Sequence, residues 1–172
     1  MTIVVQTYIV SAVPGTVAQR LKQTAPFSSQ EHEVFLGVLV TATRIIEPWT
    51  KFLKAHAELT TNQYNVLRIL RGSHPTKLTC GDISERMIAR DPDVTRLVDR
   101  LARRGLVQRG RSRRDRRVVE VGITDKGLEV VRGLDPHVQR MPKAVLGHLS
   151  GVRLRQLGSL LDAVIADMGT FP

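Results

Sequence analysis

The strongest chemical signal in this sequence is a concentration of arginine between Arg86 and Arg117. This segment holds twelve arginines, no lysine and four acids, and so carries +8 of the chain's net charge of +10. The planar guanidinium group suits phosphate oxygens and the edge of guanine. Charge concentrated in one part of an otherwise near-neutral chain indicates a nucleic-acid-binding surface. A solvated basic face that only maintains solubility is the plainer alternative.

Within this segment, an amphipathic helix is predicted from Asp91 to Gly105. Asp91 is the expected N-cap, Pro92 the first helical residue and Gly105 the terminator. Apolar residues recur at the spacing of one helix face: Val94, Leu97, Val98 and Leu101. The opposite face carries Thr95, Arg96, Asp99, Arg100, Arg103 and Arg104. One face is therefore suited to a core and the other to a polar partner.

Two extended runs, Leu106–Arg109 and Val118–Ile123, then predict a β-hairpin. Its tip is too polar to pack and too cationic for an ordinary turn: Arg111, Ser112, Arg113, Arg114, Asp115, Arg116 and Arg117. A ribbon this narrow fits the minor groove, where arginine reads negative potential. Asp115 suits such a tip if its carboxylate holds a neighbouring guanidinium in one rotamer.

A short helix, Cys80–Ile88 with Thr79 as its cap, precedes the basic helix and completes the order of a winged helix-turn-helix. The second helix of such a unit presents its N-terminal residues to the bases. The predicted contacts on that helix are Asp93, Thr95, Arg96 and Arg100, followed by the hairpin tip. Thr95 suits a thymine methyl group or a phosphate. For Asp93, a contact with cytosine and reinforcement of the helix start both remain open.

Flanking helices are needed to position this unit. A long helix is predicted from Ser29 with Pro48 kinking or splitting it, and another from Thr60 or Thr61 to Gly72. After the hairpin, Thr124 caps a helix that we expect to break at Pro136 and Pro142. A last helix carries a coiled-coil-like apolar seam: Leu154, Leu157, Leu161, Val164 and Met168. The predicted fold class is mainly α with a small β-hairpin wing.

Composition narrows the classes of function. Cys80 is the only cysteine, which excludes an internal disulfide and a cysteine-based zinc site and fits a reducing cytoplasm. No apolar run approaches the roughly 18 residues that span a bilayer. The five histidines show no ligand or triad spacing with acids, and there is no glycine-rich phosphate loop. We therefore expect no enzyme activity, no cofactor, no metal and no membrane association.

Several stretches resemble the MarR family of bacterial transcriptional regulators, in order over residues 29–168. They are Thr60–Arg68, Asp91–Leu101, Gly105–Val107, Asp115–Arg117 and Ile123–Gly127. The resemblance implies an obligate homodimer on double-stranded DNA at a pseudo-palindromic operator. It maps the acid-any-arginine signature of the family's wing to Asp115 and Arg117, with Arg117 in the minor groove. It also implies a cytoplasmic, nucleoid-associated regulator that represses or activates nearby genes, with repression the expected mode, and release by a small phenolic or other aromatic ligand.

The resemblance divides the chain into four parts. They are an N-terminal arm whose structure the sequence leaves undecided (1–28), a dimerisation helix (29–58), a DNA-binding lobe (59–127) and C-terminal dimerisation helices (128–172). The arm is compatible with an extended segment, a short helix or disorder. Weak effector-binding candidates are Trp49, His56 and Tyr64. Cys80 does not stand where one family branch senses peroxide, which favours a structural role over redox activity.

The main rival function is a sequence-nonspecific architectural DNA-binding protein, which would share the charge and the wing. Asp93, Thr95 and Asp99 interrupt the arginines on the polar face of the basic helix. A purely electrostatic binder gains nothing from acids on that face. The mixed chemistry therefore favours a sequence-specific binder.

Overall fold

The computed structural model describes residues 16–89, 93–112, 115 and 117–168. The expectations for Asp91, Pro92, Arg113, Arg114 and Arg116, and for the first fifteen residues, lie outside these ranges. The chain divides into two units, the first reaching Trp49 and the second starting at Thr50. The predicted fold class, helical with a small antiparallel sheet, is confirmed.

The first unit contains α1 (Thr16–Arg20) and most of α2 (Gln30–Ala57). The two helices are in contact, since a Cβ built on Gly37 would lie 3.4 Å from Val17 Cγ2. Ser29 Oγ accepts the His32 backbone N–H at 3.2 Å, as expected of a cap. α2 continues through Pro48, so the predicted split is wrong. Pro48 is exposed, which allows water to satisfy the carbonyl that a proline leaves without a donor.

The second unit continues from the end of α2 into a winged helix-turn-helix order. It comprises α3 (Thr61–Ser73), β1 (Leu78–Thr79), α4 (Cys80–Glu85), α5 (Val94–Arg103), β2 (Val107–Arg111), β3 (Val119–Ile123), α6 (Asp125–Leu146) and α7 (Gly151–Asp167). The antiparallel sheet has the order β1-β3-β2. β1 was not predicted, because two residues are too short to show an alternating pattern.

Side-chain caps fix where the helices of this unit begin. Thr60 Oγ1 accepts the Gln63 N–H at 3.2 Å, and Gln63 Oε1 accepts the Thr60 N–H at 3.0 Å. Thr79 and Asp82 form a second reciprocal pair, in which the Thr79 N–H and hydroxyl hold the pKa of Asp82 below its usual range. Two helix starts are thus specified by local sequence.

Three predicted helix boundaries are wrong. α5 begins at Val94 with Asp93 as its N-cap, not with Asp91, because the Asp93 carboxylate accepts the Arg96 N–H at 3.1 Å. α4 ends at Glu85 rather than Ile88. α6 runs through Pro136 and Pro142, where breaks were predicted. Both prolines are exposed, and each removes only one donor from the helix, which leaves the neighbouring hydrogen bonds of the helix in place.

The core of the second unit forms around α5. All four residues of its predicted apolar face are buried, and Val98 and Leu101 are fully enclosed. They are joined in the core by residues of every neighbouring element: Leu53, Leu59, Val66, Leu67, Leu70, Ile83, Leu106, Val121 and Val131. α7 contributes no buried residue within the chain, and its predicted apolar seam is exposed except at Leu157, which is half-buried.

The C-terminal end of α5 is anchored by Arg104, which was expected on the exposed basic face. Its guanidinium donates instead to the carbonyls of Ala57 and Glu58, at 2.8 and 2.9 Å, where α2 ends. Lys126 Nζ in turn donates to the Arg104 carbonyl at 2.9 Å. Arg104 therefore satisfies backbone groups that a helix terminus leaves open, and holds α5 against the end of α2.

Two glycines of α6 give a matched test of the packing between α6 and the sheet. A Cβ at Gly127 would collide with the Leu106 carbonyl and approach Ile123 Cγ1 to 2.7 Å, whereas nothing lies within 4 Å at Gly133. We expect Gly127→Ala to lower the free energy of unfolding by about 1–3 kcal/mol through overpacking. Gly133→Ala should raise it by about 0.5–1 kcal/mol, because alanine favours the helix. Urea unfolding at one fixed protein concentration measures both, and equal effects would contradict the packing described.

Arg104 and Arg103 give a second matched pair, since they are adjacent and equal in charge but Arg103 is exposed. Arg104→Ala should lower the free energy of unfolding by about 1–2 kcal/mol, because two carbonyls lose a charged donor. Arg103→Ala should stay within about 0.5 kcal/mol of the native chain. The same urea experiment separates them, and equal losses would show that Arg104 does not anchor α2.

Candidate nucleic-acid interface

The exposed face of α5 brings together the four residues predicted to contact bases. Thr95, Arg96 and Arg100 are exposed, and Asp93 is half-buried at the helix start. Arg96 Nε lies 2.9 Å from Asp93 Oδ2, while the Arg96 side chain remains 79% exposed. The Asp93 carboxylate thus caps the helix and pairs with Arg96, which supports the helix-start interpretation of this acid. Both arginine side chains extend from a rigid helix whose other face is buried.

The hairpin beside α5 is regular and closed by hydrogen bonds at its tip. Its register runs from Val107 opposite Ile123 to Arg111 opposite Val119. The Ser112 N–H then donates to the Val118 carbonyl at 2.9 Å. Ser112 is buried, although the sequence placed it in a purely polar loop. The two strands are therefore hydrogen-bonded as far as Ser112. The hairpin lies where the sequence predicted a wing.

Asp115 organises the backbone of the wing tip. Its Oδ1 accepts the Arg117 N–H at 2.9 Å, and its carbonyl accepts the Val118 N–H at 3.0 Å. Asp115, Arg117 and Arg111 are all exposed. The Asp115 carboxylate thus shapes the turn that presents Arg117. The expectation that it also holds a neighbouring guanidinium in one rotamer stays a prediction.

An ion pair joins the wing to α5. The Arg109 guanidinium of β2 donates through Nη1 to Oδ1 of Asp99, and the two side chains are 35% and 41% exposed. The sequence placed Asp99 on the polar face of the helix and offered no partner for it. Arg109 was not among the predicted site residues, because no spacing signal connects a helix to a strand ten residues later.

Lys77 adds a cation that lies outside the arginine-rich segment. A Cβ at Gly122 would come within 3.2 Å of Lys77 Cγ, and one at Gly110 within 3.9 Å of Lys77 Nζ. The lysine stem therefore crosses the sheet over two positions that lack side chains, and its ammonium group extends along the wing. Gly110 and Gly122 were a signal in the sequence, since glycine inside a strand often marks a close approach.

The turn between α4 and α5 depends on a buried polar residue. Asn65 of α3 is 4% exposed, and its Oδ1 accepts the Ile88 N–H at 3.0 Å. Its amide nitrogen finds no hydrogen-bond partner within the described ranges. A polar residue in an otherwise apolar helix face was the available signal for this position. Asn65 thus ties α3 to the turn of the helix-turn-helix.

The weak effector candidates occupy different environments. Trp49 is half-buried in the first unit, whereas Tyr64 is buried in α3 and His56 is exposed. Burial raises the pKa of the Tyr64 hydroxyl, opposed by Arg71. His56 stacks on Phe52 with ring centroids 4.3 Å apart, and Phe52 stacks on His137 at 3.6 Å.

Cys80, for which a structural role was expected, is half-buried at the start of α4.

Metal and membrane sites are absent from the residues that the structure describes. These residues contain no group of three or more His, Cys, Asp or Glu side chains that could hold a metal ion. None of the helices in the described ranges is both long and apolar enough to cross a membrane. The cationic surface of α5 and the wing remains the main candidate site.

Comparison with known proteins identifies the same region. The profile of the MarR family matches residues 59–119. The HTH-type transcriptional regulator TtmR of Methylorubrum extorquens (strain PA1) is 37% identical over 110 residues, which are 64% of this chain and 53% of TtmR. The chain thus spans about half the length of that curated relative.

Solved structures agree with the sequence comparisons. A MarR transcription factor from Planctomyces limnophilus is 38% identical, with a TM-score of 0.59, 80% of this chain covered and 99% of that one. Sco3205, a MarR family transcriptional regulator from Streptomyces coelicolor solved in complex with DNA, has a TM-score of 0.72 over 83% of this chain and 91% of its own. At 22% identity, it shows the fold alone.

The family profile covers the helix-turn-helix and most of the wing, and the Planctomyces protein is matched almost end to end. The chain belongs to the MarR family of transcriptional regulators.

Proposed function

We propose that this regulator is a sequence-specific repressor that binds a pseudo-palindromic operator as a homodimer. The observation that carries the proposal is the pairing of two arginine-bearing elements, α5 and the wing, joined by the Asp99–Arg109 ion pair. The charged face of α5 points away from the core, because the opposite face of the helix is the one buried there. The exposed cationic surface suits a polyanion.

In this proposal α5 lies in the major groove. Its exposed N-terminal turn presents Thr95 and Arg96, with Arg100 one turn further along. Arginine can donate two hydrogen bonds to O6 and N7 of guanine, a contact unique to the major groove. The Asp93–Arg96 ion pair limits the rotamers of Arg96, which reduces the entropy lost on binding.

The wing enters the adjacent minor groove. The Asp115 turn presents Arg117 at an exposed position, and Arg111 is exposed at the last pair of the ladder. Arg113, Arg114 and Arg116 are assigned to the same contact only because they lie in the hairpin tip of the sequence. A narrow minor groove has a strongly negative potential, which favours inserted arginine.

Homodimerisation is supported by apolar surface that each single unit leaves exposed. In the first unit, five large apolar residues of α2 are about half exposed: Val34, Phe35, Val38, Leu39 and Ile46. In the second unit, α7 buries none of its residues, and Leu160, Val164 and Ile165 are at least 60% exposed. Amphipathic helices with unburied apolar faces require a partner. A second copy places residues 29–58 and 128–172 in the interface and leaves the lobe 59–127 for DNA.

Repression and ligand release complete the proposal. A dimer that covers an operator excludes other proteins from the same DNA, which is the simplest route to regulation. A small aromatic effector is proposed from the family resemblance, with Trp49, His56 and Tyr64 as its candidate contacts. A sequence-nonspecific architectural role is the second candidate. The exposed Thr95 in the N-terminal turn of α5, a residue suited to a thymine methyl group, favours the sequence-specific role.

The direct experiment measures binding to the duplex upstream of the protein's own gene and to a scrambled duplex, across a salt series. A preference of about 10³-fold or more, with protection of two half-sites one helical turn apart, is the expected result. Equal, salt-sensitive affinity for both duplexes would favour the architectural role. Protection of a single half-site by a monomer would contradict the proposed dimer.

Arg117→Ala tests the wing. Loss of a minor-groove arginine should weaken operator binding by about tenfold or more and leave the dimer intact. Fluorescence anisotropy gives the affinity and sedimentation gives the mass. Arg20→Ala is the matched control, because Arg20 is an exposed arginine of α1, outside both the DNA-binding lobe and the proposed dimer interface. An unchanged affinity for Arg117→Ala would show that the wing does not enter the groove.

Arg96→Ala tests base reading by α5. It should reduce the discrimination between operator and scrambled DNA by about 1–3 kcal/mol, the range for one bidentate contact with guanine. The measurement compares both duplexes at one salt concentration. If both affinities fall by the same factor, Arg96 contacts only phosphate.

A further inference from the structure

Asp99 is the acid whose position on the polar face of α5 is hardest to reconcile with DNA binding. It follows Thr95 and Arg96 by one helical turn, and so lies on the same face. A carboxylate there would repel the phosphates that the neighbouring arginines attract. Its charge is instead compensated by Arg109, which reaches it from β2. The acid is therefore part of a cross-element pair.

The position of this pair follows from the geometry of the two grooves. With α5 in the major groove and the wing in the adjacent minor groove, the phosphate strand that separates the grooves must pass between them. The Asp99–Arg109 ion pair is a side-chain bridge between α5 and β2 at that junction. A phosphate passing there would meet a guanidinium whose position is already set.

We propose that Arg109, held by Asp99, forms a binding site for one backbone phosphate of the DNA strand between the two grooves. The inference rests on the proposed function. The described ion pair engages Nη1, which leaves the other N–H donors of the guanidinium for phosphate oxygens. Arg109 is exposed enough to be reached, with 35% of its side chain open to solvent. Asp99 is a positioning residue in this site and contacts no base.

The Asp99→Asn variant separates this inference from simple electrostatics by the sign of its effect. Removing a negative charge from a DNA-facing surface should strengthen binding if charge alone matters. If Asp99 positions Arg109, the same variant should weaken binding, because the amide oxygen of asparagine accepts a weaker hydrogen bond from the guanidinium than a charged carboxylate does. We expect about a threefold to tenfold loss of affinity for the upstream duplex, by analogy with the loss of a charge-assisted hydrogen bond.

The experiment uses the full-length chain with the upstream and scrambled duplexes and the same salt series. Arg109→Ala should weaken both complexes by a similar factor, about tenfold, and lower the salt slope by about one per bound subunit. Arg109→Lys should keep the salt slope and lose part of the affinity, because lysine keeps the charge but not the fork. In the Arg109→Ala background, Asp99→Asn should cause no further loss. Arg20→Ala is the control for the removal of one exposed positive charge.

Three results would overturn the inference. They are tighter or unchanged binding by Asp99→Asn, an unaltered salt slope for Arg109→Ala, and a loss confined to the upstream duplex, which would make Arg109 a base contact. Thermal unfolding of each variant excludes a folding defect, and Arg109→Lys keeps the test open if Arg109→Ala unfolds. If the unmodified protein binds neither duplex, the proposed function itself fails. Specific binding with no effect at Arg109 or Asp99 contradicts only this site.

Discussion

The burial of one face of α5 is the constraint from which the rest of the interface follows. Val94, Leu97, Val98 and Leu101 are all enclosed, and burying an aliphatic side chain contributes about 1.5–3 kcal/mol. Exposed ion pairs contribute about 0–1 kcal/mol each. The apolar contacts therefore decide how the helix is rotated, and the charged residues occupy whatever face remains. That face is exposed beside the hairpin.

Arginine serves two different purposes in this small region. Arg104 satisfies the carbonyls at the end of α2 and so acts within the fold, whereas Arg109 compensates an acid of α5 and also takes part in the proposed phosphate site. Arg96 and Arg100 project from α5 and are both exposed. Net charge by itself cannot distinguish these uses, because it counts a guanidinium that anchors the fold and one that is exposed to a partner equally. The distinction decides which substitutions change stability and which change binding.

The long helices carry the apolar surface on which the proposed dimer rests. α7 is amphipathic yet has no buried residue, and α2 exposes an apolar stripe in the first unit. The lobe around α5, by contrast, encloses its own core, with residues from α3, α4, the sheet and α6. The apolar surface thus separates into one part satisfied within the chain and another that a second copy is proposed to cover. This separation matches a regulator whose DNA-binding lobes are carried by a shared helical interface.

Local sequence determined the elements whose signals are short-range. The caps at Thr60, Thr79 and Thr124 and the apolar face of α5 were predictable, because they depend on neighbours within a few residues. The family and the mixed acid and arginine chemistry of α5 were also readable. Proline was misleading in α2 and α6, since a long helix with an exposed proline tolerates one missing donor. Only the tertiary structure decided that Arg109 meets Asp99, that Arg104 reaches α2, and that Lys77 crosses the glycines of the sheet. Such contacts join residues from different elements, and the packing of buried surfaces, not sequence spacing, brings those elements together.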